Sequence, residues 1–186
     1  MSTITPNVVN GVDRDVLFGA LNLLSEERQL TKFQFRATNE WVSGTHSVST
    51  VNDFYGLGDE QTHSVERTFT SDHPEQFGAS DAGITPVEHL LHALAGCITA
   101  GIGNISAARG IRLDRVTSKV TGDIDLAGLL GLDPAVRNGY SNIAVSLEIE
   151  GDGDAEQLRK VVERSVARSA VFDMLTNGTT VDVHVA

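Results

Sequence analysis

One segment, residues 85–110, constrains the fold more than any other part of the sequence. It reads TPVEHLLHALAGCITAGIGNISAARG, in which Thr85 suits a helix cap, proline follows at the first helical position, and Gly110 suits the end. The predicted helix runs from Pro86 to Arg109 and is roughly 36 Å long at the usual rise per residue. Its side chains are apolar in almost every direction, so other parts of the structure must enclose it.

Three glycines interrupt this predicted helix. Gly96, Gly101 and Gly103 each cost about 1 kcal/mol in a helix interior. The usual compensation is that another helix comes close to the backbone at such positions. Because a chain of 186 residues has little material with which to surround so long a helix, the sequence predicts a homodimer.

The rest of the chain alternates between helix and strand patterns. Asp13 suits the cap of an amphipathic helix that ends near Arg28. Alternating residues predict strands between about residues 31 and 70, with a turn at Ser43 and Gly44. Later strands are predicted at 111–126, 140–151 and 179–186, and later helices after Asp154 and at 170–178. This order of elements predicts an α+β fold.

Charge and cysteine content limit the possible functions. The net charge is −11 and no Lys/Arg cluster is present, so we expect no binding to nucleic acid or to an anionic membrane. Cys97 is the only cysteine, which excludes an intramolecular disulfide and a multi-cysteine metal site. A single thiol and a first segment without a basic, apolar leader predict a cytoplasmic protein.

Cys97 has two interpretations when its own helix is considered alone. It is either a small buried apolar residue or a reactive thiolate, and the second needs a group that lowers the thiol pKa. Glu88 lies nine residues earlier, about 180° around the helix and roughly 13 Å along it. Glu88 can therefore reach a Cys97 thiol only if a partner helix packs antiparallel.

Other motifs indicate no cofactor. Glu88 and His92 would share a helix face, but EHLLH is not the His-Glu-x-x-His pattern of zinc proteases, so no metal site is predicted. The glycines lie inside a helix and not at a strand-to-helix turn, which argues against a dinucleotide site. No Gly-x-Ser-x-Gly motif is present, which argues against a serine hydrolase.

A longer pattern covers residues 69–125. A phenylalanine-containing strand and a Gly/Asp-rich loop precede Pro-x-Glu-x-Leu-Leu-x-Ala-Leu, and a cysteine then lies on a helix that ends in Ala-x-x-Gly-Ile. The matching residues are Pro86, Glu88, Leu90, Leu91, Ala93, Leu94, Gly96, Cys97, Ala107, Gly110 and Ile111. In spacing and residue type this pattern resembles the OsmC/Ohr family, with weaker similarity from about Thr31 to the C-terminus.

The resemblance implies an OsmC-like fold for residues 31–186, with residues 1–30 forming a tail and an added helix. By this resemblance the protein is an intertwined α+β homodimer. Two long cysteine-bearing helices lie at its centre, and antiparallel β-sheets wrap around them.

The resemblance also implies an activity. Catalytic members are thiol-dependent hydroperoxide reductases, in which a first cysteine attacks the peroxide and a second resolves the sulfenic acid as a disulfide. Cys97 fits the peroxidatic position, and Glu88 fits a glutamate found in one branch of the family. Ser169 stands where the resolving cysteine is expected, so this chain cannot form that disulfide.

The arginine of Ohr-type members is also missing. Val42 precedes Ser43 and Gly44 where the family has arginine, although Arg36 or Arg67 could substitute for it. One hypothesis is a one-cysteine organic hydroperoxide reductase that uses an external thiol as reductant. The alternative is a non-catalytic OsmC-like dimer whose intersubunit pocket binds a small apolar or thiol-containing ligand.

Overall fold

The computed structural model describes residues 7–185 and confirms the predicted α+β class. The strands are β1 (Val8–Val9), β2 (Val12–Asp13), β3 (Gln34–Phe35), β4 (Thr38–Ser43), β5 (His46–Gly56), β6 (Asp59–Ser71), β7 (Leu113–Asp123) and β8 (Asn142–Gly151). The helices are α1 (Arg14–Glu26), α2 (Pro86–Arg109), α3 (Leu126–Leu129), α4 (Ala155–Ala167) and α5 (Ala170–Asn177). These elements form two compact units: unit 1 contains residues 7–14 and 90–185, and unit 2 contains residues 15–89.

Unit 1 is built around the part of α2 that begins at Leu90. Strands β7 and β8 form an antiparallel ladder, and alternate residues of β8 are half-buried against the core. Helix α4 begins at a capping box in which Asp154 and Gln157 satisfy each other's backbone N–H groups. The buried core residues are Leu94, Ile98, Ile102, Ile111, Leu158 and Val161.

Helices α2 and α4 approach each other closely at Gly101. A Cβ atom on Gly101 would collide with the Ser165 hydroxyl, which is itself buried and donates a 2.6 Å hydrogen bond to the Ile98 carbonyl. The close helix approach inferred from the glycines is therefore confirmed at Gly101. A Cβ atom on Gly96 or Gly103 would meet no atom within 4 Å.

One side-chain amide fastens the N-terminal hairpin to the rest of unit 1. Asn10 lies in the turn between β1 and β2 with a φ of 54°. Its Nδ2 donates to the Ile111 carbonyl at 2.9 Å, and its Oδ1 accepts from the Leu113 N–H at 2.9 Å. The Asn10 amide thus bonds to the chain at the start of β7 much as a neighbouring strand would. Residues 1–6 of the predicted tail lie outside the described residues.

Unit 2 is a four-stranded antiparallel sheet. β5 pairs along one edge with β6 and along the other with β3 and β4. Rings of Phe33, Phe35, Phe54 and His63 form a cluster with neighbouring centroids 5.0 to 6.2 Å apart. No hydrophobic side chain described in this unit is buried, and Phe35 and Trp41 are 72% and 73% exposed. Part of the apolar surface of this sheet is therefore exposed.

The loop after β6 folds around a buried carboxylate. Asp72 is 1% exposed and accepts hydrogen bonds from the Thr45 hydroxyl at 2.6 Å and from the backbone N–H groups of His73, Ser80 and Ala82 at 2.8, 3.2 and 3.0 Å. These bonds, the Thr45 bond foremost, lower the pKa of Asp72 to about 2 although burial acts in the opposite direction. The ionised side chain therefore fixes the course of this loop.

Two sequence-based predictions for strands differ from the structure. The first strand after α1 is shorter than predicted, because only Gln34–Phe35 pairs with β5. The strand predicted at 179–186 is wrong: residues 179–185 form no strand, and three valines of this segment, at 181, 183 and 185, are 78% to 94% exposed. A strand needs a paired edge, and this segment has none among the described residues. The boundary near residue 30 stays a prediction.

Helix α2 is long and apolar enough to cross a membrane by length and composition alone. Core helices of soluble proteins share these properties. Leu94, Ile98 and Ile102 of α2 lie in the core of unit 1. On the face of α2 that carries these three residues, the apolar side chains are buried by packing within the protein.

We expect the substitution Gly101→Ala to lower the free energy of unfolding by about 1–3 kcal/mol, because the new methyl group must displace Ser165 from its bond to Ile98. Gly19→Ala in α1 is the matched control, since a Cβ atom there meets no atom within 4 Å. The control should leave stability unchanged or raise it by up to about 1 kcal/mol. Urea unfolding at one fixed protein concentration measures both, and equal effects would contradict the close approach.

Candidate functional site

The thiol of Cys97 lies at the N-terminus of α5. Cys97 is half-buried on α2, and the Ser169 side chain and the backbone N–H groups of Ala170 and Val171 face its sulfur as hydrogen-bond donors. Ser169 is 4% exposed and is the N-cap residue of α5. The structure therefore brings together two of the three predicted site residues, Cys97 and Ser169.

The bonding of Ser169 leaves its hydroxyl proton available to the thiol. Its Oγ accepts the N–H of Phe172 at 3.2 Å, as is usual for an N-cap serine. A hydroxyl has one proton to donate, and the N-cap bond uses only an oxygen lone pair. Ser169 can therefore cap α5 and donate to Cys97 at the same time.

The surroundings of Cys97 favour its thiolate. Burial raises the pKa of the thiol, but hydrogen bonds from Ser169 and from the N–H groups of Val171 and Ala170 outweigh burial, so the pKa lies below its ordinary value. A helix N-terminus adds partial positive charge in the same direction. The sequence of α2 contains no group that could lower this pKa. The hydrogen-bond donors that do so lie at the start of α5.

Glu88 takes part in the cap of α2. Its Oε2 accepts from the Thr85 N–H at 2.9 Å and from the Thr85 hydroxyl at 2.7 Å, while its own N–H donates to Thr85 Oγ1 at 3.3 Å. This is a capping box, and the bonds from Thr85 lower the pKa of Glu88. Helix α2 is unbroken from Pro86 to Arg109. Glu88 is exposed, and its carboxylate is ionised at neutral pH.

Glu88 and His89 line a cavity of about 680 Å³ in unit 2. The cavity lies against β6 and the loop held by Asp72, and His89 Nε2 is 3.3 Å from the Thr70 carbonyl oxygen. Two neighbouring polar residues at the start of α2, Glu88 and His89, therefore line the same cavity. Across residues 7–185, no three His, Cys, Asp or Glu side chains are grouped so that they could hold a metal ion.

The two arginines considered as substitutes differ in their contacts. Arg36 is held by Glu60 through two hydrogen bonds of 2.7 and 2.8 Å, and it also contacts Asp53 at 3.3 Å. Arg67 lines a smaller cavity of about 330 Å³ together with His63 and has no carboxylate partner among the described residues. Of the two guanidinium groups, that of Arg67 is therefore the one not held by a carboxylate among the described residues.

The donors of Ala170 and Val171 were missed by sequence reasoning, because a backbone N–H group leaves no signature in the residue type. The available signal was the serine at 169 followed by a short helical pattern, since serine is a preferred N-cap residue. Ser169, which the resemblance aligns with the resolving cysteine, lies beside the thiol as a hydrogen-bond donor.

The sequence and the fold are similar to those of a known family. The sequence profile of the family described as OsmC-like protein matches residues 78–184, which is more than half of the chain. The chain therefore belongs to the OsmC family. Comparison of the sequence with curated proteins gives no match.

Solved structures agree with this assignment at the level of the fold. An OsmC-like protein from Mycoplasma pneumoniae is 16% identical with a TM-score of 0.59, and the match covers 82% of this chain and 96% of that one. An OsmC-like protein of unknown function from Vibrio cholerae is 10% identical with a TM-score of 0.55, covering 77% and 94%. These similarities confirm the predicted OsmC-like fold.

We expect Ser169→Ala to raise the pKa of Cys97, because the substitution removes a hydroxyl that donates to the thiolate. The thiolate absorbance near 240 nm, or the rate of alkylation followed against pH, should shift to higher pH. Ser141→Ala, which removes a hydroxyl bonded to the Asp123 carbonyl, is the control and should leave the titration unchanged. An unchanged curve for Ser169→Ala would contradict this assignment.

Proposed function

We propose that this protein is a one-cysteine organic hydroperoxide reductase in which Cys97 is the peroxidatic thiol. The proposal rests on the environment of Cys97, where the Ser169 hydroxyl and the α5 N-terminus favour the thiolate. A thiolate is the nucleophilic form of cysteine, and a half-buried position leaves it accessible to a small molecule. Membership of the OsmC family supports the same activity.

The reaction requires an external reductant. The Cys97 sulfur forms a bond to the terminal peroxide oxygen as the O–O bond breaks, and the alkoxide leaves as an alcohol after taking a proton. Sulfur is oxidised to sulfenic acid while the peroxide is reduced. An external thiol then condenses with the sulfenic acid to a mixed disulfide and water, and a second thiol releases Cys97. Ser169 cannot take either step, because a hydroxyl forms no disulfide.

A homodimer is part of this proposal. Unit 2 has no buried hydrophobic side chain among its described residues, so covering its apolar side chains with a second chain would be favourable. On α2, the small apolar residues Ala93, Gly96 and Ala100 are exposed. Residues 179–185 carry an alternating row of exposed valines without a strand partner. Each of these surfaces is suited to contact with a second copy of the chain.

The dimer gives Glu88 a place in the mechanism. Within one chain its carboxylate caps α2, and it stays ionised and exposed at neutral pH. If two α2 helices pack antiparallel, Glu88 of the partner subunit approaches the Cys97 thiol and can orient the peroxide. Arg67 is the candidate for the missing family arginine. A single thiol that must stay reduced is consistent with a cytoplasmic protein.

The alternative function is ligand binding without turnover. The absence of a second thiol at Ser169 favours it, because the catalytic pair of the family is incomplete here. In that case the dimer would hold a small apolar or thiol-containing ligand near Cys97, and the hydrogen bonds of Ser169 would be structural. The two functions differ in whether Cys97 is oxidised by peroxide.

We expect cumene hydroperoxide to convert Cys97 into a sulfenic acid that dimedone traps as one adduct per chain, detected by mass spectrometry. In Ser169→Cys the new thiol lies beside Cys97, so peroxide should yield an intrachain disulfide and less dimedone adduct. Cys97→Ser is the control and should give neither product. No adduct from substoichiometric to excess peroxide would contradict the reductase and leave the binding alternative.

We expect size-exclusion chromatography with light scattering to give about twice the chain mass of 19.9 kDa. Ala100→Glu introduces a charge on the exposed face of α2 and should shift the protein toward one chain. The far-UV circular dichroism of the variant should keep its helical signal, because Ala100 is not part of the buried core. A wild-type mass near that of one chain would overturn the dimer.

A further inference from the structure

Unit 1 contains a cavity of about 450 Å³ that shares no lining residue with the cavity beside Glu88. It is lined by α2, β8, α5 and the loop that precedes β8. Its volume falls within the range of small-molecule sites, which is about 300–1,000 Å³. The apolar lining residues are Leu90, Leu94, Ile143, Val145, Phe172 and Leu175. Of these, Leu90, Phe172 and Leu175 keep 36% to 37% of their surface exposed, which leaves room for an apolar ligand to cover them.

One cation, Arg137, lines this cavity beside the apolar residues and a set of uncharged polar ones, Tyr140, Ser141, Asn142 and Thr176. Arg137 is exposed and has no carboxylate within ion-pair distance among the described residues. In the same unit Arg112, Arg115 and Arg159 each contact one or more carboxylates. In a chain of net charge −11, an arginine without an acidic partner beside apolar walls is available to an anion from outside.

The loop that carries Arg137 is held in place by two glycines. A Cβ atom on Gly128 would lie 2.5 and 2.6 Å from the carbonyl oxygens of Val136 and Arg137, so the loop backbone rests directly on α3. On β7, the ring of Tyr140 covers Gly122 so closely that a Cβ atom would collide with it. Both ends of the segment around Arg137 are thus fixed by packing.

We propose that this cavity binds an amphipathic carboxylate, with the apolar part against α2, β8 and α5 and the carboxylate on Arg137. A guanidinium group forms two parallel hydrogen bonds with a carboxylate, which gives geometry as well as affinity. The apolar walls favour a ligand with a chain or ring over a small inorganic anion. This site does not depend on the reaction of Cys97 with peroxide.

The test compares two probes with the same phenylpropyl skeleton and different head groups, the carboxylate 3-phenylpropanoate and the neutral alcohol 3-phenylpropan-1-ol. With ¹³C-labelled methyl groups, the carboxylate should shift the signals of Leu90, Leu94, Ile143, Val145 and Leu175 at millimolar concentration. The full-length wild-type protein and its Cys97→Ala variant should respond alike. The alcohol should bind at least about fivefold more weakly, and added salt should weaken only the carboxylate.

Two arginine variants locate the charge. Arg137→Gln should weaken binding of 3-phenylpropanoate about tenfold and leave the alcohol unchanged, since a charged hydrogen-bond pair is lost. Arg164→Gln removes an exposed arginine of α4 that does not line the cavity and should change neither. The proposal is overturned if the pocket methyl signals do not shift, if both probes bind equally, or if Arg137→Gln binds the carboxylate as wild type does.

Discussion

The burial of α2 is the constraint on which the rest of unit 1 depends. A helix that is apolar on nearly every side is stable in water only where other elements cover it. Within this unit, α4 and the β7–β8 ladder cover one face, and Gly101 lets Ser165 come close enough to bond the Ile98 carbonyl. The contact serves two purposes, because it satisfies a buried hydroxyl and fixes the register of the two helices.

The register of α4 on α2 also determines where Ser169 lies relative to the Cys97 thiol. The chain leaves α4 at Arg168 and immediately begins α5, so Ser169 follows the orientation of α4. Serine at this position is a good N-cap and a hydrogen-bond donor, and its hydroxyl cannot form a disulfide. Ser169 therefore has a structural role as the N-cap of α5, whereas thiol chemistry is possible at Cys97 alone.

Local features of the chain were predictable from the sequence, and features that depend on distant contacts were not. Pro86 and Gly110 mark both ends of α2, and Gly110 takes the positive φ of 72° that a helix end often requires. Alternation predicted both β7 and β8, which the structure pairs. The segment at 179–185 alternates equally well, yet alternation does not supply a pairing edge. In the site, Cys97 and Ser169 were predictable, whereas the backbone donors after Ser169 depend on where α5 begins.

The bonds of Asp72 bear on how a ligand would enter the cavity beside Glu88. A flexible loop loses conformational freedom when it closes on a ligand, and that loss weakens binding. Here Asp72 holds backbone N–H groups at both ends of the loop, so its freedom is lost during folding. The wall of the cavity on this side is therefore ordered before any molecule enters. A molecule that binds there would not have to overcome the entropy of ordering this loop.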